Sequence, residues 1–464
     1  MAGIGFALQK LSSRNSLASR SMAGAHAVLI ASGPWIVIMS GLAILYFLSR
    51  PVLEGSELTT FSILVIYSFA LSLVITAPIS MEATLRVSAL LYRRRFERVQ
   101  DVYLGALVVA TLAALAIGMF FVFVLLDLEP GITAAAIVCI VQVSHLWLAM
   151  AFVAAIKQYA AVTSAFAIGL SCSVVFGVAA ARLGYGPAGM LVGFSIGLAV
   201  AFCVLNFLIL RTFPAERRPL RDTAASLLSQ RPLSATFFAA SLAGALAVWI
   251  DKIVVWHSAE AASVQQGLLY APRYDSPMFI AYLSIVPVMS VYVVWLETTF
   301  FDSYRHYRDI VQSGGTLRQL EEQRRILARD TVDALFTAFL VQLAISAALA
   351  ILAPVIASWI GLPHDAATVL RLAFLGASFH LLFQASCSVI LFVQYGRVFL
   401  ILQVLFLGLN GAITALMLAS PDHLGMGYLL ASVAGGIAAY AAMRRTLSGL
   451  HRLTFITNNP SVAR

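Results

Sequence analysis

The stretch Thr76-Ala-Pro-Ile-Ser-Met-Glu82-Ala-Thr-Leu-Arg86 is followed by an apolar turn and then by Arg93-Arg94-Arg95. On a helix, Glu82 and Arg86 lie on one face, because they are four residues apart, and they can form an ion pair. The surrounding segment, residues 59–91, is apolar and longer than the roughly 20 residues that cross a bilayer. Charges in such a segment normally face a protein interior or a water-filled cavity. The stretch therefore predicts a membrane helix that carries polar groups into the protein interior.

The composition of the whole chain supports a membrane protein. Of its 464 residues, 61% are hydrophobic and 11% are charged, and the mean hydropathy is +0.92. A soluble domain carries roughly a quarter charged residues. The net charge of +9 does not indicate a nucleic-acid partner, because cytoplasmic loops of membrane proteins are rich in Lys and Arg. The cysteines lack paired spacing, so we expect buried thiols, no metal site and no cofactor. They are Cys139, Cys172, Cys203 and Cys387.

Apolar segments predict an all-α polytopic protein with about twelve spans. The predicted spans are 22–49, 59–91, 103–127, 131–156, 159–183, 187–210, 233–257, 272–300, 331–360, 366–392, 397–419 and 424–445. Most of the 30 Lys and Arg residues fall in alternate loops, whereas the opposite loops contain Arg50 and Arg182. The positive-inside rule then predicts a multi-pass protein of the bacterial inner membrane with both termini in the cytoplasm.

Two pairs of short motifs suggest that the chain consists of two related halves. Leu296-Glu297-Thr298-Thr299-Phe300 resembles Met81-Glu82-Ala83-Thr84-Leu85, and each motif follows a proline in its span. His145-Leu146 in the fourth span matches His380-Leu381 in the tenth. Each half has six predicted spans, so we expect two pseudo-symmetric six-helix bundles, related by an axis along the membrane normal.

The predicted domains follow from this division. They are residues 1–210, a six-helix bundle with an interfacial N-terminal helix; residues 211–232, a cytoplasmic linker; and residues 233–464, a six-helix bundle with a cytoplasmic helical loop at 301–330. That loop is larger than topology requires, so we predict that it contacts a partner protein. Its candidate contact residues are Arg305, Arg308, Arg318, Arg324 and Arg325.

Polar residues within the spans sort into layers by depth, at about 1.5 Å per helical residue. An alternating-access transporter needs groups that pair when one side is closed and separate when it opens. Ten residues are therefore candidates for the substrate cavity or its gates. They are Glu82, Arg86 and Glu297 in the cytoplasmic layer, His145 and His380 near the midplane, and Asp251, Lys252, Arg273, Asp275 and Arg371 in the outer layer.

Each candidate also has a structural interpretation, and the sequence leaves both open. Glu82 and Arg86 would then be a permanent pair, Arg273 and Asp275 would be interfacial, and the histidines would be packing residues. Asp251 and Lys252 are adjacent, so on a helix they point in different directions and each needs a partner of its own. Lys252 could instead extend its ammonium to the membrane interface.

Several chemistries are disfavoured by the sequence. It lacks a Gly-x-x-x-x-Gly-Lys-[Ser/Thr] phosphate-binding loop. It also lacks a Cys/His cluster with metal-ligand spacing. The predicted outer loops are too short to hold a polymerase site. We therefore expect a transporter without catalysis of its own.

The N-terminal residues resemble a known family. Met1-Ala-Gly-Ile-Gly-Phe6-Ala-Leu8-Gln-Lys10-Leu11, followed by Ser32-Gly33-Pro34-Trp35, resembles the PelG family, which is related to the Wzx and MATE flippases of the MOP superfamily. That family has Glu-Leu-Arg-Lys where this chain has Ala7-Leu8-Gln9-Lys10. The early acid and arginine are thus missing, which weakens any role of charge in this helix.

The resemblance implies export of a hexosamine-rich, cationic exopolysaccharide through a central cavity between two six-helix bundles in the inner membrane. It also implies a complex with PelD, PelE and the cytoplasmic glycosyltransferase PelF, with cyclic di-GMP sensed by PelD. Two other functions stay open: an antiporter of MATE or Wzx type that moves a small molecule or a lipid-linked oligosaccharide, and a membrane scaffold for a synthase without a pore.

Overall fold

A computed structural model describes residues 38, 40–126, 128–153, 159–213, 234–264, 267–363, 365–419 and 423–457. It begins with α1 (Ser40–Ser49), α2 (Gly55–Tyr92), a 3-10 turn (Phe96–Arg98), α3 (Val99–Phe120) with a π-helical end (Phe121–Leu125), α4 (Pro130–Val153), α5 (Tyr159–Arg182), α6 (Gly186–Thr212) and α7 (Ala235–Ala247). It continues with α8 (Ile250–Trp256), β1 (Ala262–Ser263), β2 (Leu269–Tyr270), α9 (Asp275–Trp295) with a π-helical end (Leu296–Phe300), α10 (Phe301–Gln312), α11 (Leu317–Ile360), α12 (Ala366–Phe392), α13 (Gly396–Met417), α14 (Met426–Ser448) and α15 (Leu450–Arg452), which runs into a π-helical turn (Leu453–Thr457).

The helices confirm the predicted multi-pass, all-α architecture. Ten described helices are long and apolar enough to span a membrane, and the α7–α8 pair makes eleven if it is counted as one bent span. These eleven correspond to the second to twelfth predicted spans. The first predicted span lies mostly outside the described residues, as do the N-terminal interfacial helix and nearly all of the 211–232 linker.

The seventh predicted span is a bent pair rather than one straight helix. Helices α7 and α8 meet at an angle of 43°, and Val248 and Trp249 lie at the break. Interrupted membrane helices are tolerated where the freed backbone is buried in protein or lines a cavity. The break places Asp251 and Lys252 in the first turn of α8.

The chain forms two compact units. The N-terminal unit contains the described residues up to Trp249 together with Ala261–Tyr270, and the C-terminal unit contains Ile250–Glu260 and the described residues from Ala271 onward. Within the N-terminal unit, α5 and α6 pack closely because small residues let their backbones approach. A Cβ atom at Gly193 would stand 2.6 Å from the backbone nitrogen of Gly177.

A β-hairpin formed by β1 and β2 belongs to the N-terminal unit, although it follows α8 in the chain. Ala262 pairs with Tyr270, and Ser263 pairs with Leu269. Leu268 is fully buried in the core of this unit. The Tyr67 hydroxyl donates a hydrogen bond of 2.8 Å to the Leu269 carbonyl oxygen. The hairpin is thus fixed to α2 by both apolar and polar contacts.

Helices α10 and α11 form the helical loop that the sequence predicts at 301–330. Gly314 takes a left-handed backbone conformation, with a φ of 70°, between them. Thr316 and Gln319 then cap α11 reciprocally: each backbone N–H bonds the side chain of the other residue. Helix α11 has 44 residues and is therefore about 66 Å long, roughly twice the thickness of the hydrocarbon core. The charged residues of α11 all lie between Arg318 and Asp333, so we expect its N-terminal turns to extend beyond the membrane.

Candidate functional site

Asp251 and Lys252 form a buried ion pair at the start of α8. The Lys252 Nζ atom lies 2.9 Å from Asp251 Oδ2 and 3.1 Å from Oδ1. Asp251 is 0% exposed and Lys252 is 5% exposed. Because charges in such surroundings are strongly destabilised unless they are paired, each of these residues depends on the other.

Tyrosines complete the surroundings of this ion pair. The Tyr274 hydroxyl donates a hydrogen bond of 2.9 Å to Asp251 Oδ2. The Lys252 ammonium lies 4.8 Å from the centre of the Tyr282 ring, within the range of a cation–π interaction. The carboxylate thus contacts the Lys252 ammonium and the Tyr274 hydroxyl, and the ammonium contacts the Asp251 carboxylate and the Tyr282 ring.

His380 continues the group into α12 and α14. Its ring lies 5.4 Å from that of Tyr282 and 5.8 Å from that of Tyr428, measured between centroids. Its Nε2 atom lies 2.7 Å from Gln384 Nε2, and its buried Nδ1 atom has no hydrogen-bond partner among the described residues. The six residues Asp251, Lys252, Tyr274, Tyr282, His380 and Tyr428 are called the charge cluster below.

Arg273 and Asp275 lie next to the charge cluster, at the start of α9. Asp275 accepts hydrogen bonds from Trp256 Nε1 at 2.9 and 3.0 Å and from the backbone nitrogen of Ala271 at 2.8 Å. Arg273 bonds Glu260 Oε2 at 3.0 Å through one terminal nitrogen. Its Nε atom lies 2.6 Å from Asp365 Oδ2. These contacts connect the start of α9 to the end of α8 and to the start of α12.

One expectation about this site is wrong. Asp251 and Lys252 do not need separate partners, because their side chains bond each other. The four-carbon stem of lysine is long enough to fold back onto a neighbouring carboxylate. The ammonium also does not extend toward the interface, since it is buried against Tyr282.

The remaining predicted residues lie elsewhere in the two units. Arg86 Nε bonds Glu82 Oε1 at 2.6 Å within α2, which confirms that the two side chains pair. His145 lies 2.8 Å from the Thr111 hydroxyl of α3, so its partner differs from that of its predicted counterpart His380. The structure places Glu297 in the π-helical end of α9, whereas Glu82 lies in regular helix. Arg371 is exposed on α12.

Glu321 organises the charged residues near the start of α11. It bonds Arg324 at 2.7 and 3.0 Å, Arg325 at 2.9 Å and His451 at 3.1 Å. These hydrogen bonds, with that from Arg324 the strongest, hold the pKa of Glu321 well below its usual range. His451 also lies 2.8 Å from the Tyr307 hydroxyl. The loop and the C-terminal segment are thereby joined.

The predicted partner-contact arginines differ in exposure. Arg324 is directed inward, toward Glu321 and the Leu447 carbonyl oxygen. The other four are exposed and are called the arginine face below. They are Arg305, Arg308, Arg318 and Arg325.

Sequence reasoning missed the tyrosines of the charge cluster. Tyr274 immediately precedes α9, and Tyr282 lies about two helical turns further along the chain. Tyrosine hydroxyls need hydrogen-bond partners when they are buried. A search for polar aromatic residues at helical spacing near the Asp-Lys pair would have found both. Tyr428 lies far along the chain and gives no such signal.

Comparison with known proteins identifies the family. The sequence profile described as "PelG: Putative exopolysaccharide Exporter (EPS-E)" matches residues 1–455. The chain belongs to the PelG family. This confirms the resemblance found in the N-terminal residues and extends it over nearly the whole length. The family is described as one of exporters, which confirms the prediction of a transporter rather than an enzyme.

Solved structures confirm the fold of this PelG-family chain. An outward-facing multidrug resistance MATE family transporter of the MOP superfamily matches with a TM-score of 0.63 at 15% identity, over 92% of this chain and 96% of that one. A MATE transporter in complex with MaL6 matches at 0.61 and 14% identity, over 92% and 97%. A MOP superfamily transporter from Pyrococcus furiosus Vc1 (DSM3638), described as having a binding pocket of reverse polarity, matches at 0.60 and 15% identity, over 92% and 96%.

No curated protein matches the sequence. The solved structures share too little sequence identity to indicate a substrate, and they therefore support the fold alone. Family and fold together show a multi-pass membrane protein of the PelG family whose fold is similar to that of MATE and other MOP superfamily transporters.

Proposed function

We propose that this chain moves a hexosamine-rich, cationic exopolysaccharide across the bacterial inner membrane. The observation that carries the proposal is the match to an exopolysaccharide exporter family over residues 1–455. The MOP superfamily fold supports it, because that fold is one of transporters. The helical loop formed by α10 and α11 extends from the spans and offers a surface on which a polymer-synthesising partner could dock.

The charge cluster is the proposed switch in this transport. The Asp251 carboxylate is neutralised by the Lys252 ammonium at 2.9 Å. A proton, or a protonated amino group of the polymer, would compete with that ammonium for the same carboxylate. Lys252 would then lose its contact with this carboxylate, which would favour a different arrangement of α8, whose first turn follows a break in the span. A ligand shifts a conformational equilibrium only if it interacts more favourably with one conformation than with the other.

The arginine face is the proposed docking surface for the cytoplasmic glycosyltransferase, a PelF-like protein, with PelD- and PelE-like subunits in the same complex. The positive-inside rule supports a cytoplasmic location with both termini on the same side. Arg305 and Arg325 are 69% and 74% exposed in their side chains. Within the described part of the chain, each forms an ion pair at the surface. Such pairs contribute little to stability, so both arginines are available to an acidic partner.

Antiport of a small molecule is the second candidate. The fold supports it, since the similar structures include a multidrug resistance MATE family transporter. The two functions differ in what cells lose with the protein. If the chain exports a polymer, cells without it should lose secreted polysaccharide and keep their drug tolerance. If it is a small-molecule antiporter, they should keep secreting polysaccharide and lose drug tolerance.

The experiment is deletion of the gene and complementation by the wild-type chain, with secreted hexosamine polymer and tolerance to cationic drugs measured in parallel. We expect polymer secretion to disappear on deletion and to return on complementation. Unchanged secretion after deletion would contradict the proposed function.

A further inference from the structure

A polar cavity lies at one end of the N-terminal unit and shares no residue with the charge cluster. Its volume is about 400 Å³, within the range of about 300–1,000 Å³ that is usual for ligand pockets. The starts of α2, α4 and α6 meet there, and the β-hairpin formed by β1 and β2 contributes one side. The lining residues include Ser56, Glu57, Glu129, Tyr185, Gly186 and Val264.

Two carboxylates give this cavity its charge. Neither Glu57 nor Glu129 forms an ion pair with another described residue. Each of the three helix starts contributes about half a positive charge, so together they offset most, but not all, of the two negative charges. The cavity therefore favours a cationic ligand.

Glu57 both caps α2 and lines the cavity, and its two carboxylate oxygens divide these roles. Its Oε2 atom accepts a hydrogen bond of 3.1 Å from the Glu54 backbone nitrogen and so caps α2. Its Oε1 atom faces Gly186, where an added Cβ would lie 3.4 Å away. One oxygen caps the helix and the other lies among residues that line the cavity.

The other lining groups suit a sugar. The Tyr185 side chain is 67% exposed and can present its ring to the apolar face of a pyranose. Ser56 supplies a hydroxyl group, and exposed N–H groups in the first turns of the helices can donate to sugar oxygens. Donors, acceptors and an aromatic ring together match a polyhydroxylated ligand that carries an amine.

We propose that this cavity binds an amino sugar through its protonated amine, as a subsite of the exported polymer. The inference rests on the proposed function. In the predicted topology, the loops at this end of the N-terminal unit face away from the cytoplasm, so the subsite would meet the polymer as it leaves. The hairpin residue Val264 forms part of the same wall.

The test is calorimetric binding by the full-length protein in nanodiscs. The probes are a β-linked glucosamine tetramer and the same tetramer fully N-acetylated, which lacks the amines. We expect the wild type to bind the amine form about ten-fold more tightly, the ratio that 1.4 kcal/mol produces. The double variant Glu57→Gln/Glu129→Gln should lose this preference, because its cavity has no carboxylates.

Glu57→Gln keeps an oxygen that can cap α2, since glutamine serves in a capping box. Glu54→Gln is the matched control, because it removes an exposed carboxylate from the same turn that does not line the cavity, and it should bind like the wild type. Equal binding of both tetramers by the wild type, or an unchanged preference in the double variant, would overturn the inference. Polymer secretion that still depends on the gene would then leave the proposed function intact.

Discussion

Replacement of Lys252 by Met tests whether the buried ion pair holds the C-terminal unit together. The substitution leaves the Asp251 carboxylate, which is 0% exposed, with only the Tyr274 hydroxyl as its described partner. Loss of one member of a buried pair typically costs about 3–5 kcal/mol, because the other charge stays buried without compensation. We therefore expect Lys252→Met to lower the free energy of unfolding by about that amount.

The double variant Asp251→Asn/Lys252→Met removes both charges and retains an acceptor for the Tyr274 hydroxyl. Replacing both members of a buried pair is often neutral, so we expect it to be more stable than either single variant. The wild type, the two single variants and the double variant form a double-mutant cycle. Its coupling energy should reach about 2 kcal/mol, toward the upper end of values for residues in contact.

The native cysteines allow the stability of each unit to be measured separately. Cys139 and Cys387 are buried at 0% and 3% exposure, and they lie in the N-terminal and C-terminal units respectively. With Cys172 and Cys203 replaced by Ala, labelling of either buried thiol by a thiol-reactive dye during heating reports unfolding of its unit. Lys252→Met should lower the labelling temperature of Cys387 more than that of Cys139.

An exposed pair serves as the control for this cycle. Arg305 and Asp309 are 3.9 Å apart and 69% and 61% exposed, so their coupling energy should not exceed about 0.5 kcal/mol. If the double variant at Asp251 and Lys252 were as unstable as the worse single variant, the two charges would not compensate each other, and the reasoning would be refuted.

Three further predictions concern other contacts. Tyr274→Phe removes the hydroxyl that donates to Asp251 and should cost about 1.5–3 kcal/mol in the Cys387 assay, the range for hydrogen bonds to charged groups; no loss of stability would contradict this contact. Glu297→Gln should reduce secreted polymer, measured against an unchanged amount of membrane-inserted protein, and wild-type secretion would contradict a role of Glu297 in transport. Substitution of the arginine face by Glu should weaken co-purification of the glycosyltransferase, whereas Arg182→Glu, in a loop predicted to lie on the opposite side, should not; equal retention of the enzyme would contradict docking there.

Much of the fold follows from the sequence because hydrophobic length determines where a chain can cross a bilayer. The tenth predicted span, 366–392, coincides with α12, and the fourth and fifth differ from α4 and α5 by three residues or fewer. Every backbone polar group within a membrane must be satisfied inside the segment. Long apolar segments therefore become helices whatever their neighbours.

The candidate site was only partly predictable. Asp251 and Lys252 were recognisable as charges inside a span, but their mutual pairing depends on side-chain conformation and on the break before α8. The contact of Lys252 with Tyr282 depends on the position of α9 relative to α8. The position of the β-hairpin in the N-terminal unit is also a matter of tertiary packing. Leu268 and Leu269 look like ordinary loop residues in the sequence.

The most direct measurement of the central claim is polymer secretion by cells that carry Asp251→Asn/Lys252→Met as their only copy. The Cys387 assay on the purified variant first establishes that the C-terminal unit is folded. If the buried pair is the switch of an exporter, secretion should fall to the level of the deletion strain although the protein is folded and present in the membrane. Secretion at the wild-type level would contradict the account, because the pair would then only fill a structural position.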